Sequence, residues 1–202
     1  FTSPRPAEGK TTAAINTAIS FAQAGKRVVL LDLDMRKPRI HSLFSLDNIS
    51  GMSSFLAGTA ELSNLIHKTH IDDLFVIPSG PIPPNPAELL SSQRMRQALD
   101  LLREYFDHVI IDTPPILSVT DSRILARMTD GVILVIRSGD TPKQVLRQAQ
   151  KNLHLINAHI LGVLVNAADL ASADYYYYSK YYYYQYYNED TGKKRSRRHK
   201  RA

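Results

Sequence analysis

Short, almost continuously apolar runs alternate with longer segments of helical character between residues 11 and 168. Such runs are typical of parallel strands that are buried on both faces of a sheet. They predict five strands, over residues 27–33, 74–78, 108–112, 131–136 and 160–166. The segments between them predict helices over residues 11–24, 86–105, 122–128 and 142–156. This alternation predicts an α/β fold with a mostly parallel sheet flanked by helices.

The pattern stops at Asp169, and two unusual segments follow it. The tyrosine cluster, residues 175–187, holds ten of the 11 tyrosines, and the basic segment, residues 193–202, holds seven lysines and arginines. One helix or strand at the end of a domain cannot bury aromatic residues on every face. We therefore predict a folded domain over residues 1–168 and a disordered tail over residues 169–202.

The charge of the chain is concentrated in the basic segment. The net charge of the 202 residues is +6, and the seven cations of this segment leave the remaining chain at −1. A basic tail on a nearly neutral domain favours short-range attraction to an anionic partner over a domain-wide binding face. The chain has no cysteine, no secretory signal pattern and no apolar run of about 20 residues, so we predict a cytoplasmic domain without disulfides.

A phosphate-binding loop is predicted at the start of the first helix, in Ser3-Pro-Arg-Pro-Ala-Glu-Gly-Lys-Thr-Thr12. Backbone N–H groups at a helix start bind phosphate, Lys10 adds a positive charge, and the Thr11 hydroxyl is a ligand for Mg²⁺. Pro4 stands where the strict Walker A pattern has its first glycine, so the loop alone is a weak signal.

Three aspartates follow predicted strands and strengthen this interpretation. Asp32 and Asp34 are two residues apart after one strand, and Asp112 ends another before Pro114-Pro115. Parallel sheets bind ligands at the carboxyl ends of their strands, and carboxylates there suit a metal ion. The combination of loop and aspartates predicts binding of a nucleotide with Mg²⁺.

In this order the motifs resemble the bacterial tyrosine kinases that control capsule and exopolysaccharide export. The Walker A loop is followed by a Walker A′ motif at residues 31–38, a Walker B motif at residues 110–115, and the tyrosine cluster. Residues 80–90 are also similar to that family's stretch before a helix. The resemblance covers almost the whole chain and implies a P-loop NTPase-like fold and an ATP-dependent tyrosine autokinase.

The resemblance also implies roles for individual residues. Lys10 would hold the phosphates, Thr11 and Asp112 would bind Mg²⁺, and the pair Asp32 and Asp34 would serve the phenol and the metal. We assign Asp32 as the tyrosine base and Asp34 as the metal-side carboxylate, although the reverse order stays open. The nucleotide would contact Glu8, Gly9, Lys10, Thr11, Thr12 and Asn166, the last at the adenine, where a turn-forming asparagine is equally consistent. The phosphate acceptors would be Tyr175, Tyr176, Tyr177, Tyr178, Tyr181, Tyr182, Tyr183, Tyr184, Tyr186 and Tyr187.

Two features depart from the family's pattern. Ala7 stands where a glycine is usual, and a positive φ there would cost on the order of 1 kcal/mol. The chain begins at Phe1 where the family has a complete strand leading into the loop. Either the central strand is short or, as we expect, the sequence is a fragment of a longer chain.

The partners that the resemblance implies are ATP, neighbouring copies in a ring, a membrane adaptor or transmembrane activator with a role in polysaccharide chain length, and a cognate tyrosine phosphatase. The location would be the inner face of the cell membrane, and no specific nucleic acid is expected. Extended chain reaches about 3.3 Å per residue, so the tyrosine cluster would reach a neighbouring active site. We hypothesise that the basic segment pairs with phosphotyrosines or with anionic lipid and that phosphorylation switches between them.

Two other function classes share part of these features. A partition or cell-division-type ATPase switch would share the fold and the Walker A′ motif, but it has no need of the tyrosine cluster. A non-catalytic nucleic-acid binder could use the tyrosines and the basic segment, but it leaves Lys10 and the three aspartates unexplained. Arg94, Arg96 and Arg103 are typical of a solvated helix face.

Overall fold

A computed structural model describes residues 1–169. The chain separates after Asn166 into two units, and every helix and strand described below belongs to the first, Phe1–Asn166. The tyrosine cluster and the basic segment lie outside the described residues. None of the helices in residues 1–169 has the length and apolar character that crossing a lipid bilayer requires.

The described helices and strands include every strand that the hydrophobic pattern predicts. The helices are α1 (Lys10–Gln23), α2 (Ile40–Leu43), α3 (Met52–Leu56), α4 (Pro86–Ser91), α5 (Gln93–Tyr105), α6 (Asp121–Ala126) and α7 (Lys143–His154), with one 3₁₀ turn, Leu62–Leu65. The strands are β1 (Val28–Asp32), β2 (His67–Lys68), β3 (Leu74–Ile77), β4 (His108–Asp112), β5 (Val132–Arg137) and β6 (Ile160–Asn166). All five predicted strands are confirmed, with ends shifted by one residue at most.

Two helical expectations need correction, and two short helices were not expected. The single helix predicted over residues 86–105 is divided at Ser92, whose backbone is extended (ψ 161°) and whose Oγ accepts a hydrogen bond from Met95 N to begin α5. The helix predicted over residues 122–128 runs instead from Asp121 to Ala126. The short helices α2 and α3 were not predicted, because a helix of about one turn has no repeat of apolar positions to detect.

Strand β1 lies inside the larger sheet, between two other strands. One sheet has the order β2-β3-β1-β4, in which β1 is parallel to both neighbours and β2 is antiparallel to β3. β5 and β6 form a parallel pair beside it. The expectation of a mostly parallel sheet is therefore confirmed.

Residues 1–3 join these two sheets through main-chain hydrogen bonds. Phe1 N donates to Ile111 O of β4 at 2.6 Å, and Val135 N of β5 donates to Thr2 O at 2.8 Å. Ile116 N donates to Ser3 O at 2.9 Å. The segment that leads into the phosphate-binding loop is thus held between β4 and β5.

Alternate residues of β1 supply two separate cores. Val28 and Leu30 pack with Ala14 and Ala18 of α1 on one face. Val29 and Leu31 pack with a second group on the other face, which includes Met95, Leu99 and Leu102 of α5. All five residues of β1 are buried, which explains why its sequence is a continuous apolar run that ends in an acid.

Candidate active site

The start of α1 provides the backbone of the predicted phosphate site. Gly9 precedes the helix with φ 91°, and no side chain of the described residues caps the helix N-terminus. The first N–H groups of α1 are therefore available to an anion. A Cβ atom on Gly9 would also overlap the side-chain amide of Asn166. Only glycine meets both the left-handed conformation and this close approach.

Four of the predicted residues meet at this helix start. Lys10 Nζ lies 2.9 Å from Asp34 Oδ2 and 3.4 Å from Asp112 Oδ2. The Thr11 hydroxyl donates to the same Asp112 oxygen at 2.6 Å. Residues from three distant parts of the chain thus form one cluster of a lysine, a hydroxyl and two carboxylates.

The register of β1 and β4 explains why the aspartates come together. The two strands are parallel, and Asp32 pairs directly with Asp112 at their carboxyl ends. Leu33 N continues the ladder by donating to Asp112 O at 2.9 Å. Asp34 follows one residue later, where the chain leaves the sheet and reaches Lys10.

The electrostatics of the cluster keep Lys10 charged. Burial by itself would lower the pKa of Lys10, but the facing carboxylates of Asp112 and Asp34 outweigh it and raise this pKa above its ordinary value. The side chain of Lys10 is only 13% exposed. A permanent cation is therefore held at the position where the loop would receive phosphate oxygens.

The oxygen atoms of the cluster fit a magnesium ion. Asp112 Oδ1 is buried and has no hydrogen-bond partner among the described residues. The Thr11 hydroxyl and the Asp34 carboxylate are the other oxygen donors nearby, and Mg²⁺ is usually held by one or two carboxylates together with substrate phosphates. The donor set is of the hard-oxygen type that this ion prefers.

Asp32 bonds to backbone N–H groups and not to the side chains of this cluster. Its carboxylate accepts hydrogen bonds from the backbone nitrogens of Arg39 and Ile40, both at 2.9 Å, and from Asp34 N at 3.3 Å. Burial raises its pKa to about 7, while the bonds from Ile40 and Arg39 oppose that rise. The residue is fully buried and anchors the start of α2. The two Walker A′ aspartates therefore have different environments, which their spacing alone did not reveal.

The phosphate-binding loop is tied to the loop between β5 and α7. The buried Glu8 carboxylate accepts from Arg5 N and from the Thr141 hydroxyl, each at 2.6 Å. The Arg5 guanidinium donates to Asp140 O at 2.8 Å. Thr141 and Asp140 were not among the predicted site residues, because no local signal in the sequence links positions so far apart.

Asn166 and Thr12 line the same cavity beside this loop. Asn166 Nδ2 donates to Glu8 O at 3.0 Å, so its side chain supports the loop backbone at the end of β6. Both Asn166 and the exposed Thr12 line a surface cavity of about 500 Å³ beside α1. Their contacts with a nucleotide, like that of Glu8, stay predictions.

A second ion pair links the Walker A′ segment to the region after the Walker B motif. The Arg36 guanidinium donates to Asp121 through Nε at 2.8 Å and Nη2 at 3.1 Å, a bidentate pair. Asp121 is fully buried at the start of α6, whereas Arg36 is 43% exposed. This pair fixes the segment that carries Asp34 against α6.

The chain is similar to known proteins over most of its length. The sequence matches the AAA domain family over residues 7–165. It is 44% identical to the tyrosine-protein kinase YwqD of Bacillus subtilis over 170 residues, which cover 84% of this chain and 72% of that protein. It is 42% identical to the tyrosine-protein kinase CpsD of Streptococcus pneumoniae serotype 4 over 175 residues, with coverage of 86% and 77%.

Solved structures include one of similar sequence and one that shares the fold at much lower sequence identity. The chimerical protein CapA2B2 superposes with a TM-score of 0.80 at 40% identity, covering 83% of this chain and 74% of that one. The septum site-determining protein MinD of Pyrococcus horikoshii, solved with Mg-ADP, has a TM-score of 0.69 at 20% identity and covers 81% and 67%. The second likeness shows the fold alone, which is that of a P-loop nucleotide-binding protein.

Proposed function

Because this chain belongs to the bacterial tyrosine-protein kinases of capsule and exopolysaccharide biosynthesis, we propose that it transfers the γ-phosphoryl group of ATP to its own tyrosine cluster. One observation carries the proposal. Lys10 Nζ lies within 3.4 Å of carboxylate oxygens of both Asp34 and Asp112, at a helix N-terminus whose N–H groups no described side chain caps. A cation, free N–H donors and oxygen ligands at one place suit a nucleotide polyphosphate.

The residues of the cluster divide the binding work. Lys10 and the N–H groups at the start of α1 bind the phosphate oxygens, which replace the carboxylates that now neutralise the lysine. Thr11, Asp112 and Asp34 hold Mg²⁺, and the unpartnered Oδ1 of Asp112 is the atom best suited to it. The ion, when bound, neutralises negative charge on the phosphate oxygens. Glu8, Gly9, Thr12 and Asn166 shape the loop and contact the rest of the nucleotide.

The chemical step is an in-line displacement at phosphorus. The phenol oxygen of a tyrosine bonds to the γ-phosphorus, the bond from that phosphorus to the bridging oxygen breaks, and ADP leaves with the electron pair. The phenol proton passes to a carboxylate, which we assign to Asp32 with Asp34 on the metal side. Burial raises the pKa of Asp32 to about 7, nearer to the phenol value of about 10.

The buried position of Asp32 sets a condition on this assignment. Its carboxylate now binds the N–H groups of Arg39 and Ile40, so the segment around Arg39 must open before a phenol reaches it. If Asp32 accepts the proton, Asp32→Asn lowers kcat and leaves the KM for ATP nearly unchanged. If Asp34 accepts it instead, Asp34→Asn has that effect, and the assignments are exchanged.

The tyrosine cluster is the acceptor in this proposal, and the acceptor chain is a neighbouring copy. Ten tyrosines lie nine to 21 residues beyond Asn166, a distance that extended chain spans easily. Copies would form a ring in which unmodified tails occupy adjacent active sites, and phosphorylation would loosen it and so regulate polymer assembly and export. A membrane adaptor or transmembrane activator with a chain-length role and a cognate tyrosine phosphatase complete the cycle.

Intact mass measurement tests the autokinase directly. The chain is treated with phosphatase, incubated with Mg-ATP and analysed by mass spectrometry with peptide mapping. We expect added phosphates within residues 175–187, and none in Lys10→Met. The matched control is Lys26→Met, which changes an exposed lysine outside the site and should leave phosphorylation intact. Equal phosphorylation of Lys10→Met and the parent chain would overturn the assignment of Lys10.

The same preparation separates this proposal from an ATPase switch. A variant with the ten cluster tyrosines changed to phenylalanine should release ADP far more slowly than the parent chain, because it lacks the phosphate acceptor. Undiminished ADP release in that variant, without phosphate on protein, would identify a nucleotide switch of the cell-division type instead.

The charge of the basic segment supports a proposed location at the membrane. We place it at the cytoplasmic face of the membrane, where seven cations in ten residues would attract anionic lipid. Co-sedimentation with vesicles that contain phosphatidylserine should fall when residues 193–202 are removed. Equal binding by the truncated and full chains would remove the support for this location.

A further inference from the structure

A surface cavity lined by arginines lies between α5 and α6, and no predicted site residue contributes to it. Its volume is about 730 Å³, within the usual range of ligand sites. Four arginines line its wall. Two come from α5, one from α6 and one directly follows α6: Arg96, Arg103, Arg123 and Arg127. The acid in the wall is Asp100. The cavity is therefore strongly positive within a nearly neutral domain.

Within residues 1–169, acidic side chains leave most of this charge unpaired. Arg103 forms long ion pairs with Asp100 at 3.8 Å and Asp130 at 3.7 Å, and donates to Met128 O at 3.1 Å. Arg123 Nε is buried and has no hydrogen-bond partner among residues 1–169. A buried N–H group without a partner is rare in folded proteins, and an acceptor from outside would complete it. The cavity thus carries donors that are set up for an anion.

Besides the charged residues and the hydroxyl-bearing Ser91 and Thr120, the wall is apolar. Leu99 and Ile124 line it beside the arginines, together with Met128 and Ile156. An apolar wall contacts a ring well, and the planar guanidinium binds phosphate oxygens in pairs and stacks on aromatic faces. A phosphate on an aromatic ring uses both parts of the cavity, whereas inorganic phosphate or phosphoserine uses only the arginines.

We propose that this arginine-lined cavity binds phosphotyrosine of the chain's own tyrosine cluster, supplied by the same copy or by a second one. This inference rests on the proposed function. An autokinase that modifies its own tyrosine cluster carries up to ten phosphotyrosines, which makes phosphotyrosine the ligand at hand. Arginine clusters are a recurring means of recognising phosphorylated segments. Capture of the modified tail in the cavity would hold it away from the active site and so separate product from unmodified substrate.

Fluorescence anisotropy with a synthetic peptide tests the cavity. The peptide spans residues 172–180 with phosphate on Tyr176, and it is titrated with the phosphatase-treated full chain without ATP. We expect saturable binding, weakened about tenfold or more in Arg123→Gln and in Arg123→Lys, because lysine keeps the charge but loses the paired donors. Binding should be much weaker for the unphosphorylated peptide and for a peptide with phosphoserine at position 176.

Two control chains keep the test specific. Arg147→Gln removes an exposed arginine of α7 outside the cavity and should bind as the parent does. A chain that ends at residue 192 lacks the basic segment and should also keep its affinity. Equal weakening in Arg147→Gln, or loss of binding in the shortened chain, would overturn the proposal in favour of nonspecific charge or of the basic segment. Thermal unfolding by circular dichroism checks that the Arg123 variants are folded, and Arg96→Gln provides a second, exposed position at which affinity must also fall.

The two proposals fail separately in these measurements. The synthetic peptide supplies phosphotyrosine whether or not this chain produces it, so absent binding overturns the cavity proposal alone. Absent phosphate on the incubated chain overturns the autokinase alone. When the chain itself is phosphorylated, its tail competes with the synthetic peptide for the cavity. Competition that does not depend on protein concentration indicates that the tail binds within its own copy. Competition that increases with protein concentration indicates that a second copy supplies the tail.

Discussion

Replacing Ala7 by glycine should stabilise the protein, although it removes a side chain from a phosphate-binding loop. Ala7 has φ 65°, the left-handed conformation that the comparison with the family's glycine anticipated. An L residue with a Cβ pays about 1–2 kcal/mol for this conformation. The side chain is exposed, so little packing is lost. Glycine lowers stability by about 0.4–1 kcal/mol through the freedom of the unfolded chain. We expect a net gain of about 0.5–1 kcal/mol.

Urea unfolding followed by far-UV circular dichroism measures this difference in the free energy of unfolding. The matched control is Ala24→Gly at the other end of α1, where the residue is exposed and has φ −82°. The same chemical change there relieves no strain and should destabilise by about 0.5–1 kcal/mol. The two substitutions should therefore differ in sign. A loss of stability in Ala7→Gly equal to that in Ala24→Gly would refute the argument from backbone strain.

Three further predictions concern one residue each. Arg36→Met should lower the free energy of unfolding by about 2–3 kcal/mol, because the buried Asp121 loses its bidentate partner. Arg36→Lys should lose less, and urea unfolding that shows under 0.5 kcal/mol for Arg36→Met would contradict this. Gly9→Ala should weaken ATP binding about tenfold or more in calorimetry, because the Cβ overlaps the Asn166 amide and the backbone has φ 91°, and unchanged affinity would count against the loop geometry. Stability of the nucleotide-free chain should fall as pH rises from about 4 to 7 through Asp32, because the folded state holds this proton up to a pKa of about 7 and the unfolded state only up to 3.8. The contribution is on the order of 4 kcal/mol, and an identical pH dependence in Asp32→Asn would exclude it.

Strand β1 was predictable because burial on both faces requires a continuous apolar run in the sequence. Its first four residues pack in the two cores and are apolar, and the acid that follows them, Asp32, marks the end of the strand. The division at Ser92 was not predictable in the same way. The apolar positions of α4 and α5 continue across it, and the break depends on a side-chain hydrogen bond from Met95 N that competes with the helix.

The candidate site was predictable as a set of residues but not as a set of contacts. Motif order identified Lys10, Thr11, Asp34 and Asp112, and the structure brings these four together. The different environment of Asp32 follows from where the chain turns after β1, so that the start of α2 meets its carboxylate. Spacing along a strand shows which residues share an edge, and it does not show which backbone segment packs against them.

The sequence by itself determined the α/β class, the phosphate-binding loop, the acids at the strand ends and the supply of tyrosines. Each of these depends on the local order of residue types, which periodicity, backbone conformation and chain chemistry translate directly. Only the tertiary structure decided that Glu8 binds Thr141 and that the exposed arginines of α5 and the half-buried Arg123 of α6 line one surface cavity. Those relations join positions up to 133 residues apart, and the packing of helices on the sheet fixes such distances.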